Sequence, residues 1–237
     1  MPTFSDLARA AYCPRQLYYA RREDDGGLPP DAAERIDLAF AYDEHVDAPD
    51  RRLRRLPIDR SPAAYRRNLD RLRKRDDWDR LVDPAATRTL LDGKDCRGIA
   101  HKILEPAAEA DGTLPESIRT RTEPDRIPPP VPTIVSPGSP PENGVYEPQT
   151  VRAVAAAKAL AWEREREVPR ALVEYPAVGT VRSVDLTVRK TAAYRRALRT
   201  VRALDGPPPR RNDAHCESCD YRTQCGVKTR SLRSLLE

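Results

Sequence analysis

Three cysteines stand close together near the end of the chain: Cys216-Glu-Ser-Cys219, then five residues, then Cys225. A CxxC lets two thiolates meet one metal from a single turn, and a third thiolate six residues on can close from the other side. A four-ligand site needs one more. Two cysteines remain: Cys96 in mid-chain, and Cys13 within Ala-Tyr-Cys-Pro-Arg-Gln-Leu-Tyr-Tyr near the start. Cys13 is the candidate for the fourth ligand. It would clip the two ends together across roughly two hundred residues of loop, where closure entropy is large. His215, beside Cys216, keeps a zinc Cys3His site open as the alternative to iron and sulfur.

The CPR-x-L-Y-Y segment at one end and the CxxC-x5-C at the other resemble the RecB-like PD-(D/E)XK nucleases with an iron–sulfur cluster. Within them the chain is similar to the CRISPR-associated exonucleases of the Cas-four family. The resemblance implies an α/β, restriction-endonuclease-like core: a small mixed sheet flanked by helices, in one domain over 1–237. Segments 1–22 and 205–237 would form the cluster module. It further implies that Cys13, Cys216, Cys219 and Cys225 hold a [4Fe–4S] cluster. The implied partner is DNA, single-stranded or at ends, with CRISPR adaptation or recombination proteins as further partners.

The middle of the chain matches that family in layout but not in its catalytic letters. Such a nuclease needs an aspartate at one strand and Glu-x-Lys on the next. The carboxylates share a divalent ion that stabilises attack on phosphorus, and the lysine orients the water. In Gly98-Ile99-Ala100-His101 the family's aspartate position reads His101. Anchored on Gly138, the Glu-x-Lys positions read Ile134 and Ser136. The family's helical Gln-x-x-x-Tyr falls near Arg152 and Ala156. Isoleucine cannot bind a hard cation, serine lacks the lysine's charge, and one neutral histidine does not hold magnesium. No catalytic magnesium or manganese is therefore expected. A site rebuilt from Asp92, Asp95, Glu105, Glu174 or Asp185 is the competing possibility. His45 stands about where the family places a metal-assisting histidine; a plain surface residue is the other reading.

Composition leans the same way. Hydrophobic residues make up only 39% and charged residues 33%, so much of the chain is solvated surface. The net charge is +5, and arginine supplies nearly all the basic residues. Its fork matches phosphate geometry, although a GC-rich genome would give the same bias. Residues 51–80 hold twelve basic residues against five aspartates, a net +7, and 189–233 hold twelve against four, a net +8. The remainder must be acidic, so charge is segregated. Arg195, Arg199 and Arg202 share a helix face that suits a phosphate backbone or plain solvent. Met1–Arg9 lacks the apolar core of a signal peptide, and no run approaches eighteen apolar residues. Five cysteines, an odd number, argue for metal-bound thiolates in a reducing cytoplasm rather than disulfides.

The elements that must position these groups follow in order. A helix runs from Asp6 to about Arg22, capped by Ser5 and broken by Pro14 after Cys13. Tyr12, Tyr18 and Tyr19 beside it would shelter a cluster. Ala32–His45 reads as a second helix, and 51–80 as a solvated helix with a positive face and a thin apolar seam of Tyr65, Leu69, Leu72 and Trp78, a mixed-charge surface helix with internal pairs being the other reading. Thr87–Leu91 and Cys96–Leu104 are strands about Asp92-Gly93. Residues 105–130 form a flexible insertion, and 131–138 a third strand. Gln149–Arg164 is a helix whose Val151, Val154, Ala155, Leu160 and Trp162 pack on the sheet. Strands at 170–175 and 180–188 and a helix at 191–204 complete the core. Three functions emerge: a catalytically degenerate DNA-binding member of this family, an active exonuclease with shifted ligands, and a zinc-stapled basic protein.

Overall fold

The computed structural model describes residues 1–23, 27–105, 128–211, 216–217 and 219–226. The helices are α1 (Phe4–Tyr12), α2 (Pro14–Ala20), α3 (Pro30–Asp37), α4 (Tyr42–Val46), α5 (Asp50–Leu53), α6 (Pro62–Leu72), α7 (Trp78–Val82), α8 (Glu147–Glu163), α9 (Val188–Arg202) and α10 (Arg222–Cys225). The strands are β1 (Ala86–Asp92), β2 (Arg97–Leu104), β3 (Val131–Val135), β4 (Arg170–Tyr175) and β5 (Thr180–Asp185). They form one sheet in the order β1-β2-β3-β4-β5. Only β3 and β4 pair in parallel; the other neighbours are antiparallel. A parallel pair needs a crossover, and α8 supplies it. The protein is thus α/β, a small five-stranded mixed sheet flanked by helices.

Helices cover both faces. On one, α8 lies between the sheet and helices α1 and α9; its Val151, Ala153–Ala157, Ala159 and Leu160 are buried. A helix enclosed on most sides needs small residues all round rather than a stripe, and the alanine run provides them. Gly98 on β2 marks how closely α1 approaches. A Cβ there would come within 2.4 Å of the Phe4 ring. On the opposite face Leu53, Tyr65, Leu69, Leu72 and Leu81 of α5–α7 pack against Leu104, Val135 and Leu172 of the sheet.

Several local expectations change. Thr3, not Ser5, caps α1, by a reciprocal capping box with Asp6. The expected helix at 32–45 is three pieces, with a 3-10 turn at Leu38–Phe40 between α3 and α4. The basic stretch 51–80 is three short helices with a buried seam, and pairs such as Arg66–Asp50 at 2.8 Å and Arg75–Asp77 at 2.7 Å take up part of its charge. Its buried residues pack in the core layer on the other side of the sheet from those of α9. The insertion at 106–127 and His215 lie outside the described residues. Among the described residues no helix is long and apolar enough to cross a membrane.

The 3-10 turn has a partner in the sheet. Lys102 of β2 is fully buried, and its Nζ donates to the carbonyls of Ala39 (2.6 Å) and Leu81 (2.8 Å) and to the Glu174 carboxylate of β4 (3.1 Å). Thr133 of β3 donates its hydroxyl to the other Glu174 oxygen at 2.6 Å. The Phe40 and Tyr42 rings stand over the ammonium. Removing one member of such a pair leaves an uncompensated buried charge. Lys102→Met should therefore destabilise the fold by about 3–5 kcal/mol, and Lys102→Met/Glu174→Leu by much less. Urea unfolding of both variants checks this; equal losses would contradict it.

Candidate metal centre and the positions around it

The sequence around Cys13 dictates its placement. Tyr12 ends α1, Pro14 begins α2 at a position where a missing N–H is harmless, and Cys13 sits extended between them. From the other end of the chain come Cys216, Cys219 and Cys225, the last closing the short α10 before Gly226 in the left-handed conformation. All four cysteines line one small cavity, with Tyr19, Tyr221 and the guanidinium residues Arg15, Arg211 and Arg222. Burial pushes the Cys219 thiol up, and the neighbouring Cys13 and Cys216 add to the shift. Among the described residues no three His, Cys, Asp or Glu groups are grouped tightly enough to hold an ion as placed. The four cysteines border a common space without forming a closed cage among the described residues.

The two ends are joined by more than the cysteines. Tyr19 stacks on Tyr221, centroids 5.7 Å apart and planes 17° apart. Arg15 donates to the Pro208 carbonyl at 2.7 Å, Tyr19 to the Gln224 carbonyl at 3.2 Å and Arg211 to the Tyr12 carbonyl at 3.0 Å. Cys96 takes no part. It is buried beneath the sheet, 3.5 Å from the Tyr194 hydroxyl. A groove of about 610 Å³ adjoins the cysteine cavity through Gln16 and Arg211 and reaches Tyr146 and Gln149 at the start of α8.

His101, Ile134 and Ser136 come together at the β2–β3 junction. Ile134 is wholly buried against α8, and Ser136 is buried with its N–H on the Glu174 carbonyl. The β2–β3 ladder stops at Lys102↔Thr133. Beyond it the His101 ring replaces a backbone acceptor: the Val135 N–H donates to Nδ1 at 3.2 Å. Across β1 the ladder skips the residue facing His101, where Arg88 has φ of 48°. Burial, and secondarily the charge of Arg152 on α8, pull the His101 pKa down to about 3. The ring is neutral near pH 7 and already employed.

The remaining expected positions scatter. His45 is buried rather than a surface residue, 6.4 Å from the Tyr65 ring, with its Nδ1 lacking a partner among the described residues. Burial lowers its pKa. Of the acids that would rebuild a site, Glu174 is engaged by Lys102 and Thr133, Asp95 by Arg202 and Glu105 by Arg164. Asp92 and Asp185 are exposed at strand ends. On α9, Arg195, Arg199 and Arg202 are all exposed, but Arg202 bridges to Asp95 at 2.8 Å. Sequence reasoning missed the Lys102–Thr133–Glu174 group. Its one signal was a lysine inside an apolar strand. No protein-family model matches the chain, and no curated protein matches it.

The His101 pKa lies below its unfolded value. Its neutral form therefore stabilises the fold fully above pH ~6.5, and that contribution is lost as pH falls toward 3, at no more than about 1.4 kcal/mol per unit. With only three histidines, imidazole NMR can follow it directly. The His101 resonances should stay at neutral shifts down to about pH 5. A midpoint near 6.5 would show a solvated ring.

Proposed function

We propose that the protein is a RecB-like, Cas-four-like member of the PD-(D/E)XK superfamily that has lost catalysis, binds DNA and keeps a cysteine-held [4Fe–4S] cluster as a clasp. The observation that carries this reading is the shared cavity of Cys13 with Cys216, Cys219 and Cys225, drawn from segments some two hundred positions apart. The donor set fits the group: four soft thiolates, tyrosine walls and nearby guanidinium cations to offset negative charge. When bound, such a cluster supplies structural closure of the terminal segments. A mixed sheet with helices on both faces accords with the restriction-endonuclease-like core.

Loss of catalysis is supported by the surroundings of the key positions. His101 spends its acceptor on a backbone N–H, Ile134 is a core residue, and Ser136 carries no charge. Glu174 is neutralised by an internal lysine, which weighs against a rebuilt exonuclease site. DNA binding is the role left for the exposed arginines Arg195, Arg199 and Arg202. A partner in CRISPR adaptation or recombination would suit a family member without its own chemistry.

Protein purified without oxygen should be brown, with iron and acid-labile sulfide at about four each per chain. Cys13→Ser should lose the colour and loosen the ends, whereas Cys96→Ser keeps both. Colourless protein with one tightly held zinc would overturn the cluster. The same brown protein should leave single- and double-stranded DNA intact in magnesium or manganese. Degradation abolished by Asp95→Asn or Asp185→Asn, or by Glu174→Gln in protein that remains folded, would instead reveal a rebuilt site.

A further inference from the structure

Trp162 is expected to pack on the sheet, yet it is 56% exposed at the end of α8. An exposed indole of this size is unusual, and its surroundings are specific. It borders a groove of about 300 Å³ lined by Lys94, Asp95, Lys158 and Tyr194. Lys94 Nζ lies 5.7 Å from the indole centroid, and Lys158 Nζ lies 5.9 Å from the Tyr194 ring centroid. Among the described residues neither ammonium has a carboxylate partner, and the groove's own acid, Asp95, is bridged to Arg202. Glu167 lines the adjoining cavity, which shares Lys158 and Ala161.

The turn that presents Lys94 is held by contacts to two helices, α8 and α9. Gly93 approaches α8 so closely that a Cβ would meet the Ala159 Cα at 2.7 Å. Asp95 is tied to α9 through Arg202, and Cys96 contacts Tyr194. A rigid turn thus sets a cation beside an open aromatic face, and the arginine side of α9 begins at the same Asp95–Arg202 bridge.

We infer that Trp162, Lys94 and Lys158 form a stacking site for one nucleotide of single-stranded DNA, whose backbone then follows Arg202, Arg199 and Arg195 along α9. The chemistry selects this occupant. A base needs a free ring face, and two ammoniums beside it, without a carboxylate partner among the described residues, suit the phosphates on either side. In duplex DNA the base faces are covered. An exposed cation–π contact is weaker than base–indole stacking, so the incoming base displaces Lys94 from the ring onto its phosphate. This deepens the DNA-binding reading and rests on it, but it does not depend on the cysteines.

The test uses the full chain and a thymidine 15-mer at low salt, with fluorescence polarisation of labelled DNA and tryptophan emission read together. Binding should quench the Trp162 emission, and an equal concentration of duplex should not. Trp162→Ala should weaken binding roughly five- to a hundredfold, while Trp162→Phe, which still stacks, keeps most of the affinity. Lys94→Ala/Lys158→Ala should reduce the slope of log affinity against log salt by about 1.4, two phosphate contacts' worth. Polarisation that reports binding without quench, or a Trp162→Ala variant that binds like the parent, overturns this site and leaves the DNA-binding reading standing. Absence of any binding overturns both. Quenching in protein that holds zinc or no metal supports this site while the cluster reading fails.

Discussion

A charge buried in the middle of the sheet sets the terms for the rest of the structure. Lys102 has no contact with solvent, so each proton of its ammonium must find an acceptor within the protein. It finds one in β4, one in the turn after α3 and one in α7. Two strands and two pieces of the covering layer are thereby fixed to one atom. Glu174 in turn needs Thr133 for its second oxygen. A hydrophobic group of the same size would pack as well without dictating which turn lies over which strand. The pair contributes less to net stability than to arrangement.

That arrangement bears on the two positions beside it. Lys102 and Glu174 have used the polar capacity of one side of β2 and β4. On the neighbouring residue His101 serves as a backbone acceptor at the point where the β2–β3 ladder ends. The strained Arg88 opposite shows that this irregularity is maintained against a conformational penalty. Polar residues persist at the centre of this sheet in structural employment.

The periodic parts of the fold were legible in the sequence. Strand β4 falls where alternation places it, and α8 and α9 lie within three residues of their expected bounds. Cys13 does line one cavity with Cys216, Cys219 and Cys225, the residues whose spacing suggested soft donors. What escaped was set by tertiary contacts. The break at Leu38–Phe40 lies over a buried lysine on β2, which no local propensity encodes. The burial of His45 and the exposure of Trp162 depend on which helix lies over them. Residues 51–80 read as one solvated helix with a thin seam of Tyr65, Leu69 and Leu72; the seam is buried as expected, but the stretch is divided into three short helices.

The joining of the two ends has a consequence for synthesis of the chain. The side chains of Arg15 and Tyr19 bond to carbonyls 193 and 205 positions later. At ribosomal speeds of about 5–20 residues per second, α2 waits on the order of ten to forty seconds for those partners. During that interval Tyr19 and Cys13 lack the later segment against which they pack. Helices α1 and α2 are thus completed late, and the nascent chain carries an open seam until residues 208–224 emerge.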